Sequence, residues 1–263
     1  MRALSFRLVP HAVACGILAA AAIAPANAVP VTFAQFVQQN GAQQAWSIVT
    51  NAGGTTTVTA NSNVFFSFSG VLGLPFAGAE PAIFSLSATS TQLGNCGVNC
   101  GTGDSYVQPG YTGTFSFIDA GVAAGKNLLS GTFATSGNPS TSGAQLRSTI
   151  GGSSAGFGAT TTAIDPNLLV LSSAYLNFAN QTQETAQFSL SSLIPSFSTG
   201  LVLAGQARPA TGTFNASGSG TFSSNPGPTA LVPEPASMLL LGAGLAGLGA
   251  VRRRAKVAAT AAA

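Results

Sequence analysis

An all-β fold, an antiparallel β-sandwich of jelly-roll-like type, is what this sequence of 263 residues predicts for its central region. Three observations carry the prediction. Apolar residues alternate at period two through short runs, clusters of Gly, Ser and Thr separate those runs, and no long stretch between them has helical period.

The N-terminus precedes that region as a separate element. Arg2 and Arg7 make a basic start, an apolar run follows from Ala12 to Ala24, and Ala26-Asn27-Ala28 has the small-x-small form of a secretory cleavage site. Residues 1–28 are therefore expected to be a signal peptide removed by signal peptidase, leaving a mature chain that begins near Val29. Removal also takes away Cys15 and His11, the one histidine in the sequence.

The β-sandwich body is expected over residues 29–223. "FAQFVQQNG" opens it ambiguously, since Phe33, Phe36 and Val37 suit one short helix or an irregular first strand. "VFFSFSG" places Val64, Phe66 and Phe68 on one face, and Phe84 with Leu86, Phe115 with Phe117, and Phe188 with Leu190 repeat the pattern. In "TGTFNASGSGTFSS" Phe214 and Phe222 share a face with three small residues between them, which suggests a bulge or turn there. Gly-Thr-Phe recurs at Gly113, Gly131, Gly212 and Gly220, but at intervals too unequal for a repeat architecture. An outer-membrane barrel would also alternate. It would want aromatic girdles, and Trp46, Tyr106, Tyr111 and Tyr175 are too few for them.

Cys96 and Cys100 in "GNCGVNCG" are the pair left after cleavage, and in an oxidising compartment they are expected to close a small disulfide loop. Residues 224–231, rich in Pro, Gly and Ser, are expected to be an extended linker.

The last element answers to a different logic. Pro233 and Pro235 hold Glu234 extended, 16 uncharged residues run from Ala236 to Val251, and Arg252, Arg253, Arg254 and Lys256 follow. As a helix the run spans roughly 24 Å, short against a hydrocarbon core of about 30 Å, so it makes a marginal transmembrane anchor. The basic cluster is a stop-transfer signal that stays cytoplasmic with residues 257–263, which places the body outside the inner membrane.

The order Val232-Pro233-Glu234-Pro235, an apolar Leu/Gly/Ala run and then Arg252 to Arg254 closely resembles the PEP-CTERM sorting signal. Here the signal spans residues 232–256. The resemblance implies an exported protein held briefly in the inner membrane, cut near its Pro-Glu-Pro step by an exosortase, and delivered to the cell surface or to an exopolysaccharide matrix. It implies nothing about what the body does.

Charge and residue types narrow that question. The formal net charge of +3 comes from the two ends. Between Val29 and Leu231, Lys126, Arg147 and Arg208 face five carboxylates, a net of −2, so a nucleic-acid partner is not expected. The low charge offers little resistance to self-association. A mature chain without histidine has no Ser-His-Asp triad and no His ligands for zinc, and neither a cofactor nor a metal is expected. Glu80, Asp104, Asp119, Asp165 and Glu184 are the carboxylates from which a glycosidase pair would have to come, yet they stand singly in turns and strand ends. The expectation is a non-enzymatic surface or matrix protein, with a carbohydrate-binding module as the alternative and Trp46, Tyr106 and Tyr111 as candidate glycan-stacking rings.

Overall fold

A computed structural model describes residues 29–231 except 52, 77, 97–99, 122, 135–142, 162–166 and 200–210. The signal peptide with Ala26 and Ala28, the sorting signal from Val232, Pro233, Glu234 and Pro235 through the cluster at Arg252, Arg253, Arg254 and Lys256, and Asp165 lie outside the described residues.

Among the described residues the secondary structure is strand and turn without helix. The strands are β1 (Val31–Gln38), β2 (Trp46–Thr50), β3 (Thr56–Phe68), β4 (Glu80–Ser90), β5 (Ser105–Asp119), β6 (Asn127–Phe133) and β7 (Ala144–Thr149). They continue with β8 (Ala155–Thr160), β9 (Leu169–Ser172), β10 (Leu176–Asn177), β11 (Gln183–Ile194), β12 (Phe214–Asn225) and β13 (Thr229–Ala230). All pairings between them are antiparallel.

Eleven of these strands form one hydrogen-bonded sheet, where the sequence suggested two stacked ones. The ladder closes on itself. From β12 it passes to β1, β3, β4, β5, β7, β8 and β11, and β11 pairs again with β12. β1 and β2 occupy one lane end to end, because both pair with β12 on one side and β3 on the other. β5 divides its far edge in the same way: Ser105 to Tyr111 face β7, and Gly113 to Ile118 face β6, which then pairs with β9. The changeover falls at a register shift between Gln108 and Tyr111, where Gly110 takes a positive φ of 80° that a side chain would resist. Closure leaves few free edges, which protects a chain with little charge against edge-to-edge pairing.

The interior is filled by rings. Phe36 lies 5.0 Å from Phe84, 4.8 Å from Phe117 and 5.9 Å from Phe188, centroid to centroid, and Phe84 stacks on Phe117 at 4.7 Å. Strand alternation sends these phenylalanines inward and the intervening Ser, Thr, Asn and Gln outward, so one period-2 pattern makes both core and surface.

Two local expectations are resolved. "VTFAQFVQ" is strand β1, and a register shift between Thr32 and Ala34 buries both Phe33 and Ala34. That bulge breaks the alternation and mimics helical spacing. β12 runs unbroken from Phe214 to Asn225, so its small residues mark no turn, while the bulge expected there falls on the partner strand, where β11 shifts register between Ser191 and Ile194 opposite Ser217 and Asn215. Gly218 and Gly220 face inward, where the Trp46 indole and the Phe36 ring occupy the space that a Cβ would take.

The linker expected at 224–231 is largely attached to the body. β12 extends to Asn225, β13 pairs with β10, and the Leu231 N–H donates to the Tyr175 carbonyl at 2.8 Å.

Candidate functional site

Trp46, Tyr106 and Tyr111 do not form a sugar-stacking surface. Each is fully buried. Trp46 sits 5.4 Å from both Phe84 and Phe188, Tyr106 packs 5.1 Å from Phe197, and Tyr111 meets Phe157 edge-on at 5.3 Å. The inward phase of β2 and β5 decides this: a large ring gains more from the core than from water, and the two phenol hydroxyls find partners there. Those partners converge on Gln108, itself fully buried. Tyr111 donates to Gln108 Oε1 at 3.0 Å, while Gln108 Nε2 donates to Thr56 Oγ1 at 3.0 Å and to the Gln92 carbonyl at 2.7 Å. Thr211 joins through Tyr106 and Gln108. Burial pushes the Tyr106 hydroxyl up to about 12 and raises that of Tyr111, so both stay protonated donors. This network satisfies buried polar groups and offers no open face to a ligand.

Of the carboxylates, Glu80 at the start of β4 and Asp119 at the end of β5 come together, each with an oxygen 3.4 Å from the place a Gly121 Cβ would take, while Asp104 and Glu184 lie elsewhere. Asp119 is buried and caps the turn after β5, accepting from Gly121 N–H at 2.6 Å and Ala123 N–H at 3.0 Å. Asp104 accepts from Gly101 N–H at 2.8 Å beside the cysteine loop. In that loop Cys96 and Cys100 stand with Cα atoms 5.1 Å apart and their sulfurs in bonding contact. Glu184 is half-buried at the start of β11, and burial, outweighing the nearby Leu171 backbone of β9, raises its carboxyl to about 7. Among the described residues no three Cys, Asp or Glu side chains gather into a metal cluster.

A concave feature of the surface lies on the outward face of β3, β4, β5, β6 and β9. Strand register aligns its side chains into two rows across the strands. One row is Asn61, Ser85, Ser116, Ser130 and Ser172, each directly opposite the next. The neighbouring row is Thr59, Ser87, Thr114, Thr132 and Val170. At about 4.8 Å per strand, each row extends roughly 19 Å. The rows line a groove of about 800 Å³, bounded at the β3 end by Gln43, Gln44 and Ala45 of the excursion between β1 and β2.

Nothing lining the groove is charged. Ser85 and Ser116 share a hydrogen bond of 2.9 Å, and Asn127 Nδ2 donates to Ser130 at 2.9 Å, which fixes the inner row. At the wall, Gln44 Nε2 donates to the Ser192 carbonyl at 3.0 Å, while its Oε1 is buried without a partner. Thr59 and Ser130 donate to the Ser47 and Ser172 carbonyls at 3.4 Å, and one of Ser85 and Ser116 donates to the other, whereas Ser87, Thr114, Thr132 and Ser172 keep both donor and acceptor capacity. Alternation showed that these residues point outward, but only the register shows that they align.

Residues 231–254 match the family description "PEP-CTERM protein-sorting motif". This chain carries a PEP-CTERM sorting signal. The PEP-CTERM motif marks it as an exported, membrane-sorted protein handled by an exosortase-type enzyme. No curated protein and no solved structure matches the chain. The motif begins at Leu231, the residue whose N–H still holds the strand-like end of the body to Tyr175, so no spacer separates the β fold from the sorting signal.

Proposed function

We propose that this chain is a structural, non-enzymatic component of the cell surface or extracellular matrix. A cleaved signal peptide exports it. Its tail holds it in the inner membrane with the body in the periplasm, and an exosortase then cuts near Val232, Pro233, Glu234 and Pro235. The observation that carries this reading is the sorting motif at residues 231–254, directly continuous with the docked end of the body.

Physical chemistry supports the sequence of events. Two prolines around Glu234 present an extended, acidic step that a membrane-embedded enzyme can grip before any helix begins. Because β13 and the Leu231 hydrogen bond lie upstream of that step, cutting there leaves the body intact. A closed sheet with a polar exterior and rings inside suits long residence outside the cell, where refolding help is absent.

Fractionation of producing cells tests the proposal. The wild-type body should appear in surface or extracellular fractions, whereas Glu234→Ala with Pro235→Ala should strand it at the inner membrane. Equal distribution of both chains, or retention of both in the cytoplasm, would overturn it.

A further inference from the structure

We propose that the groove across β3, β4, β5, β6 and β9 binds an uncharged polysaccharide chain laid perpendicular to the strands. The inference extends the proposed function only in that an exported body would meet such a polymer; the site itself stands on strand register.

Each alternative class of occupant fails on a property of the lining. A nucleic acid or anionic polymer needs cations, and the groove has none. An apolar ligand or lipid wants a hydrophobic pocket with a few polar groups, and here hydroxyls and amides prevail. Protein interfaces are enriched in aromatic residues, Met and Arg and depleted in Ser, the reverse of these two rows. What matches rows of neutral groups, most of them able to give or accept a hydrogen bond, is a neutral chain of hydroxyls.

Geometry adds two points. The rows repeat at the strand spacing, so a polymer with its own regular repeat makes the same contact several times, whereas a single sugar makes it once. The hydroxyls of Ser87, Thr114 and Thr132 are exposed on the groove floor and stay open to ligand hydroxyls. Without a ring to stack on, affinity should be weak for short oligomers and should rise with chain length.

The test measures binding of the chain recovered from producing cells to immobilised neutral polysaccharides (dextran, a mannan and a galactan) and to anionic alginate. Soluble oligomers of increasing length serve as competitors. We expect at least one neutral polymer to be bound, alginate to be ignored, and competitor potency to rise with length. Thr114→Val with Thr132→Val keeps the β-branched shape and removes two outward hydroxyls, and should weaken binding at least about five-fold. Ser87→Ala with Ser172→Ala is the second variant, and Thr221→Val, on the outward face of β12, should leave binding unchanged. The proposal is overturned if no neutral polymer binds, if alginate is preferred, or if the groove variants bind as Thr221→Val does. It is equally overturned if the groove variants abolish self-association in sedimentation, since the face would then be an interface between copies. A chain that is sorted and cut yet binds no glycan would sink this inference alone.

Discussion

Replacing Gly220 with Ala puts the packing argument at risk most sharply. A Cβ at Gly220 would stand 2.5 Å from Phe36 Cε1, 2.7 Å from the Gln187 carbonyl oxygen and 3.2 Å from Phe188 Cδ1. Carbon contacts are comfortable at about 3.5–4.0 Å, so roughly 1 Å must be recovered. The Phe36 ring has four ring neighbours and nowhere to turn, and the Gln187 carbonyl belongs to the β11–β12 ladder, in which Phe188 opposes Gly220. Relief therefore shifts a strand. Overpacking costs about 1–3 kcal/mol, and the upper end applies here. At about 2–4 °C per kcal/mol for a domain of this size, the melting temperature should fall by roughly 6–12 °C. Gly156→Ala is the matched control, because its Cβ would meet nothing nearer than the Phe188 carbonyl at 4.0 Å; it should be neutral or stabilise by up to about 0.5–1 kcal/mol. Thermal unfolding followed by near-ultraviolet circular dichroism decides the matter. Equal effects of the two substitutions, or a shift below about 1 °C for Gly220→Ala, would refute the claim that inward glycines make room for rings.

Other outcomes follow from the same structure. Glu184 holds its proton to about pH 7 when folded, against about 4.3 when unfolded, so its contribution is fully present below pH 4 and is lost as pH rises through 7. After allowance for solvent screening the loss is on the order of 1–2 kcal/mol, and Glu184→Gln should flatten the stability profile between pH 5 and 8 in urea titrations. A rise in stability across that window in the native chain would contradict it. Reducing the Cys96–Cys100 loop, or replacing both by Ser, should cost about 2 kcal/mol for a five-residue loop; denaturation midpoints with and without reductant report it. A chain ending at Pro228 loses β13 and the Leu231 hydrogen bond and should melt below one ending at Pro235, whereas identical midpoints would show that the dock contributes nothing.

Much of this was legible before the structure. Period-2 alternation in β3, β4, β5 and β11 located the strands and their inward faces, since burial acts on each side chain locally. Closure was not legible, because which strand neighbours which depends on contacts far apart in the chain. The end-to-end lane of β1 and β2 is the clearest case. The glycines of β12 misled for a related reason: their purpose lies in rings on β1, β2 and β11. Residue type alone points to Trp46, Tyr106 and Tyr111 as stacking rings, and strand phase at one residue's resolution turns all three inward. The hydroxyl rows were hidden in ordinary Ser and Thr until register aligned them. The sorting signal is the reverse case, fully readable as a linear order of Pro-Glu-Pro, apolar run and basic cluster, because residue order alone defines it.

The most direct test of the central claim is the intact mass of the protein recovered from the surface of producing cells, for wild type and for Glu234→Ala with Pro235→Ala. The wild-type chain should begin near Val29 and end between Val232 and Pro235, and the mutant should retain its tail. A wild-type mass running from Val29 through Ala263, unchanged by the substitutions, would contradict sorting by cleavage and reduce the tail to a permanent anchor.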